Sequence, residues 1–278
     1  MIKDVMVYLD GTKEDEVRLS YAEPIAQQHD AFLTGLLCVE LPDIVSAGDG
    51  VFSVGQVAAE LQQEAEEQGD RFEKELDARF AKHEFRSDLR RISATPSYMG
   101  QSIANEARLA DIFIATRPYK HFSEKPEIFE NVLFNSGRAC LFVPPAIPAS
   151  KGPYNNIVLG WRNSKQTARA VADAIPFMQR ADQVTVAIVS DEEAAEERRV
   201  EPGADIARHL DRHGVNVEVR NINGWSDAAA ALLNEVERSD ADLLVMGGYG
   251  HSRFREWVLG GATRDVLSKA EVPVLMAH

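Results

Sequence analysis

The residues best suited to chemistry in this 278-residue chain are glycines. Gly247 closes an apolar run, Gly250 follows after two residues, and Gly260 comes after nine more, leading into Gly261, Ala262 and Thr263. Glycine tolerates positive φ angles and lets backbone amides approach a ligand closely. Where such a loop opens into a helix, unpaired N–H groups and the positive end of the helix dipole add to it, so the arrangement suits a phosphate chain. The Thr263 hydroxyl there either caps the helix or bonds a phosphate oxygen. His251, Arg253, Arg255 and Arg264 make the segment locally basic in a chain of formal charge −14. That pattern fits an anion site or, equally, a solvated helix face. The overall charge argues against non-specific nucleic-acid binding, which depends on neutralising phosphates.

Several familiar chemistries do not fit the spacing. There is no G-x-x-x-x-G-K-[ST], which excludes a P-loop NTPase. Gly248-x-Gly250 is followed by Arg253 in place of a third glycine and does not follow the first strand, which argues against a dinucleotide fingerprint. Ser252 has no partner His and Asp at recognisable spacing, so no hydrolase triad is supported. His209 and His213, four apart on a predicted helix, lack a third ligand and read as polar-face residues rather than a metal pair. No catalytic residue and no metal ligand is assigned; His251 is the one base beside the loop, and it could equally bond a phosphate. Trp161 either stacks on a base or packs the domain. Cys38 and Cys140 sit in apolar strand-like runs and read as buried free thiols, which fits a reducing cytoplasm. The start MIKDVMVYLDG lacks the basic and apolar regions of a secretion signal, and no run of about 18 apolar residues offers a membrane span. A cytoplasmic protein without membrane or nucleic-acid partners is expected.

The elements that must carry the loop occur twice. Residues 2–16 resemble 155–169, Ala110-Asp111-Ile112 matches Ala241-Asp242-Leu243, and Val132-Leu133 matches Val266-Leu267. A repeat of this length means two equivalent domains. Short apolar runs alternate with helical stretches, which predicts parallel sheets covered by helices. Strands are expected near 3–9, 32–39, 85–92, 111–115 and 139–143, then 156–161, 184–190, 216–222, 242–247 and 272–277. Helices are expected near 13–29, 54–82, 97–109 and 128–136, then 164–179, 203–213, 226–239 and 262–270. The long helix carries Val54, Val57, Ala58, Leu61, Ala65, Phe72, Leu76 and Phe80 at helical spacing, read as core packing, with contact to a partner chain as the alternative and Gly69 as a point of bending. Prolines at 144, 145, 148 and 153 mark a semi-rigid linker between domains 1–146 and 153–278. The charge run Glu192–Arg199 reads as a solvated loop or helix start. The two copies differ at the loop: Gly247-Gly248-Tyr249-Gly250 in the second stands against Thr116-Arg117-Pro118-Tyr119 in the first. The asymmetry points to one ligand site.

The chain resembles the universal stress protein (UspA-like) family in tandem form. Nucleotide-binding members carry G-x2-G-x9-G-[ST]; Gly247, Gly250 and Gly260 fit, with Gly261 where the family has a hydroxyl residue. The resemblance implies an α/β fold of two tandem doubly wound domains, each a five-stranded parallel sheet in the order 3-2-1-4-5, with ligand at the switch point between the first and fourth strands. It implies a nucleotide-binding set of Gly247, Gly250, His251, Ser252, Gly260, Gly261, Ala262 and Thr263, with adenine near Val189 and Ser190. The family's ribose aspartate appears as Asp10, in the half without the loop, while the second half has Arg162-Asn163-Ser164. Arg162, beside Trp161, either pairs with a phosphate, stacks on a base or is an exposed turn residue. The expected ligand is ATP or AMP, with Mg2+ only if carried with ATP, and the expected role is ligand-linked stress regulation. A nucleotide-free scaffold and a weak ATPase are the alternatives. The resemblance also implies that the closing strands, near 139–143 and 272–277, pair within the molecule as a pseudo-dimer, with a homodimer as a further possibility.

Overall fold

A computed structural model of the chain describes residues 1–43, 51–119, 126–145, 154–189, 203–249 and 261–278, without the side chains of 51–56. The first half runs β1 (Asp4–Leu9), α1 (Glu14–His29), β2 (Phe32–Glu40), α2 (Val51–Phe80), β3 (Ser87–Ala94), α3 (Pro96–Ala107), β4 (Ile112–Thr116), α4 (Pro126–Asn135) and β5 (Ala139–Val143). The second runs β6 (Asn156–Gly160), α5 (Lys165–Met178), β7 (Gln183–Val189), α6 (Ala204–Arg212), β8 (Val217–Ile222), α7 (Ala228–Arg238), β9 (Leu243–Gly247), α8 (Gly261–Lys269) and β10 (Val274–Ala277). Every expected element is present, with ends displaced by a few residues at most.

The strands form one ten-stranded sheet in the order β3-β2-β1-β4-β5-β10-β9-β6-β7-β8. Each half therefore has the order 3-2-1-4-5, read outward from opposite edges. Pairing is parallel within each half, and the seam between β5 and β10 is antiparallel, matching Phe142 with Val274 and Cys140 with Met276. These strands are buried on both faces, which is why they read as continuous apolar runs. Side chains alternate between two cores: Val5, Val7 and Leu9 face the layer of α1, α2, α5 and α6, while Met6 and Tyr8 face that of α3, α4, α7 and α8. The repeated Ala-Asp pair has the same task in each half. Asp111 Oδ2 accepts the N–H groups of Lys3 (2.6 Å) and Asp4 (3.1 Å), and Asp242 accepts those of Asn155 (2.8 Å) and Asn156 (3.2 Å). Each aspartate thus fixes where its central strand begins.

The long helix α2 departs from the core-packing expectation toward its N-terminal end. Leu76 and Phe80 are buried, but Val57 and Leu61 are 55% and 48% exposed, so the apolar stripe leaves the core toward its N-terminal end. Gly69 also makes a close packing contact. A Cβ there would lie 2.6 Å from the Arg91 guanidinium and 2.7 Å from Val39. Arg91 on β3 in turn reaches Glu66, Asp70 and Glu73 of α2, tying the helix to the edge of the sheet. Cys38 and Cys140 are buried free thiols. His209 on α6 and His213 at its C-terminal cap are exposed, and among the described residues no group of His, Cys, Asp and Glu could hold a metal. Among the described residues, no helix is long and apolar enough to cross a membrane. Linker residues 146–153 and the charge run 192–199 lie outside the described residues.

Candidate functional site

The C-terminal ends of β6 and β9 form the switch point of the second half. They lie side by side, with Gly160 opposite Met246, but the helices that follow them pack on opposite faces, α5 into one core and α8 into the other. An open α/β sheet has its crevice at such a point. Ser164 caps α5, its Oγ accepting the N–H of Thr167 at 3.2 Å. Gly247 has a packing reason that spacing alone did not give. A Cβ there would fall 2.6 Å from Thr167 N and 2.9 Å from Gln166 C, so glycine lets the first turn of α5 pack onto the end of β9. Gly248 donates its N–H to Ala277 O at 2.9 Å. Thr263 is buried, and its Oγ1 accepts the N–H of Tyr249 at 3.2 Å. The hydroxyl therefore fastens the loop to α8.

Gly261 and Ala262, the first two residues of α8, are exposed, and a Cβ on Gly261 would meet none of the described residues within 4 Å. Trp161 is half-buried against the α5-side core, so its ring packs the domain, and its N–H bonds Ala187 O at 2.8 Å. Arg162 is exposed beside it, and half-buried Val189 ends β7 at the same rim. Of the residues expected at the site, Trp161, Arg162, Val189, Gly247, Gly261, Ala262 and Thr263 share this rim. Gly250, His251, Ser252 and Gly260 lie outside the described residues, as do Ser190, Arg253 and Arg255.

The same rim of the first half is filled. Arg18 of α1, 3% exposed, lays its guanidinium over the ends of β1 and β4. Its Nε donates to Thr116 Oγ1 (2.9 Å), Nη1 to Asp10 (2.9 Å) and Asp15 (2.7 Å), and Nη2 to Glu14 (2.8 Å). The Tyr8 ring lies 4.8 Å below. Asp10 caps its own turn through Thr12 N–H and Oγ1, and Asp15 accepts the N–H groups of Asp10 and Gly11. Phe72 of α2 closes the top, because a Cβ on Gly11 (φ +75°) would fall within 2.1 Å of its ring. Burial raises the Asp10 pKa, but the charge and hydrogen bonds of Arg18 overcome it and hold the carboxyl below its usual range. Burial and the charge of Asp10 push Asp15 up to about 7, against the opposing pull of Arg18. The β1–β4 and β6–β9 registers make Val5 equivalent to Ile157. Asp10 thus corresponds to Arg162, Arg18 to Ala170 and Thr116 to Gly247.

Residues 153–278 match the universal stress protein family. The chain carries the tandem fold of that family. In solved structures, the whole chain is similar to a universal stress protein of Archaeoglobus fulgidus, with a TM-score of 0.69 at 16% identity over 99% of this chain and 97% of the other. A protein of unknown function from Pseudomonas aeruginosa PAO1 is similar with a TM-score of 0.60 at 15% identity, covering 99% and 92%. At such identities the likeness speaks for the fold. A universal stress protein of Synechocystis is 41% identical over 66 residues, a match spanning 24% of this chain and 22% of that relative.

Within this universal stress protein fold, sequence reasoning missed Arg18 and the contacts of Tyr249. Arg18 left a signal: Glu14, Asp15 and Arg18 share one helix face directly after Asp10, a spacing at which such side chains meet. Tyr249 left none. Its hydroxyl donates to Glu130 Oε1 at 3.3 Å and lies 3.0 Å from that of Tyr119, which donates to the same oxygen. Tyr119 and Glu130 belong to the first half, 130 and 119 residues away in sequence.

Proposed function

We propose that the second half binds an adenine nucleotide, ATP or AMP, at the rim where β6 and β9 end. Occupancy then regulates the protein by stabilising the fold or reshaping a partner surface. The observation that carries this reading is the start of α8, where Gly261 and Ala262 are exposed and no described residue lies within 4 Å of a Cβ built on Gly261, together with the crevice between β1 and β4 of the first half being filled by Arg18. The first amides of a helix lack intrahelical partners and carry partial positive charge, so they suit phosphate oxygens. Arg264, exposed on the same turn, adds a cation, and the loop resemblance supplies Gly250, His251, Ser252 and Gly260. Trp161, Arg162 and Val189 line the side where ribose and base would lie. Mg2+ enters only with ATP, and the first half binds no nucleotide. The reading assigns regulation rather than turnover, with ATP hydrolysis weak at most.

Arg162 in the ribose position favours a second reading, a nucleotide-free scaffold. The two separate on one preparation. Denaturing freshly purified protein should release ATP, ADP or AMP near one per chain. ATP at about a hundred times its dissociation constant should raise stability by roughly 2.7 kcal/mol. No released nucleotide, no heat on titration and an unmoved thermal midpoint would leave the scaffold. Light scattering on the same sample decides whether two chains further pair as a homodimer.

A further inference from the structure

Tyr249 is the last described residue before the glycine loop, and its backbone is unusual. Its φ is +52°, in the left-handed region that non-glycine residues rarely occupy. Such a conformation persists only where surrounding contacts enforce it. One contact comes from its own half, the N–H bond to Thr263. The others come from across the seam. Both tyrosine hydroxyls donate to Glu130, and the Phe134 ring of the first half lies 4.9 Å from that of Tyr249.

The residues that reach across stand at particular positions. Thr116-Arg117-Pro118-Tyr119 is the stretch of the first half that aligns with the glycine loop of the second. Tyr119 holds Tyr249 there, and Arg117, 3% exposed, donates through Nη1 to the carbonyl of Ala270, just past the end of α8. The first half thus grips α8 at both ends, through Tyr249 and Thr263 at its start and Ala270 at its finish. We infer that the first half is a positioning half: Tyr119 and Glu130, through Tyr249, set the conformation in which the glycine loop leaves β9. Segments equivalent to a phosphate loop have become its anchor. The effect on ligand affinity rests on the nucleotide reading above; the anchoring itself does not.

Hydrogen exchange across 247–263 in unliganded full-length protein, together with ATP titration calorimetry, tests this in Tyr119→Phe. Losing one hydrogen bond of ordinary strength should speed exchange in that segment by about threefold to tenfold and weaken ATP by a similar factor. Exchange elsewhere should be unchanged. Tyr119→Phe/Tyr249→Phe should be no worse than the more severe single variant, because both act through one contact. Arg169→Ala supplies the comparison, since it removes another bond between the halves, to Gly137 O at 2.8 Å; it should leave the segment alone. Glu130→Gln, which keeps the shape, replaces Tyr119→Phe if that variant folds poorly. Unchanged exchange at 247–263, or an equal rise in Arg169→Ala, overturns the anchor. Wild-type protein that ignores ATP sinks the nucleotide reading alone, because exchange is read without ligand.

Discussion

At equivalent points of one fold, the first half places Arg18 and the second Ala170; beside them stand Thr116 and Gly247. Arg18 is ringed by Asp10, Glu14, Asp15 and Thr116, whereas Ala170 is fully buried with no polar atom to offer. Three carboxylates around one arginine make a self-contained network, in which the protein supplies the cation that a binding crevice would leave to solvent or ligand. The second half keeps its helix start open instead. A duplicated fold can thus keep its sheet while one copy converts its crevice into structure. In the first half, the positions equivalent to the loop make contacts across the seam through Arg117 and Tyr119.

The largest expected effect comes from breaking the filled side. Arg18→Ala leaves half-buried Asp10 and buried Asp15 without their cation and should cost about 3–5 kcal/mol in urea unfolding, while Ala170→Gly at the equivalent point should cost about 1 kcal/mol. Equal losses would show that Arg18 is not the centre of the first rim. Next comes the loop start. Gly247→Ala drives a methyl against the backbone of Thr167 and should cost about 1–3 kcal/mol, whereas Gly261→Ala meets open space and should change stability by less than about 1 kcal/mol. Thr263→Val removes the acceptor for Tyr249 N–H at similar volume and should cost about 1 kcal/mol.

The smallest effects concern pH, and here two groups oppose each other. Asp15 is raised to about 7 in the folded protein, so the native state holds a proton that the unfolded chain gives up near 3.9. Its contribution is complete below that pH and is lost as pH rises through about 7. Asp15→Asn should remove that falling limb. His29 on α1 lies 5.4 Å from Phe177 of α5, and burial, with the nearby charges of Arg180, the N-terminus and Lys3, lowers it to about 4. Its contribution is present above about 6.5 and is lost as pH falls toward 4. His29→Phe should therefore flatten the acid side of the stability profile. Profiles of both variants, measured by urea unfolding between pH 4 and 8, separate a term inside the first rim from one between the halves.

Much of this molecule was legible beforehand because the signals are local. Largely apolar runs such as Ile112–Thr116 and Leu243–Gly247 have strand length, and the helical spacing of Leu76 and Phe80 marks a buried face. The match of Ala110-Asp111 with Ala241-Asp242 gave the repeat, and the resemblance gave the strand order and the seam. At the site, the glycines were found but the reason for Gly247 was not, since it depends on how closely α5 approaches β9. Val57 and Leu61 misled because periodicity reports a face of a helix, not how far along that face the core extends.

Hydrophobic period and turn residues act over a few positions, so the elements and their duplication could be read from residue order alone. Strand pairing across the whole sheet decided that Arg18 fills the crevice of the first half and that Tyr119 and Glu130 reach Tyr249 beside α8. Arg18 meets Thr116 across 98 residues and Tyr249 meets Tyr119 across 130. Contacts so distant leave no spacing to read; they exist only once the strands have paired and the antiparallel seam has brought the halves together.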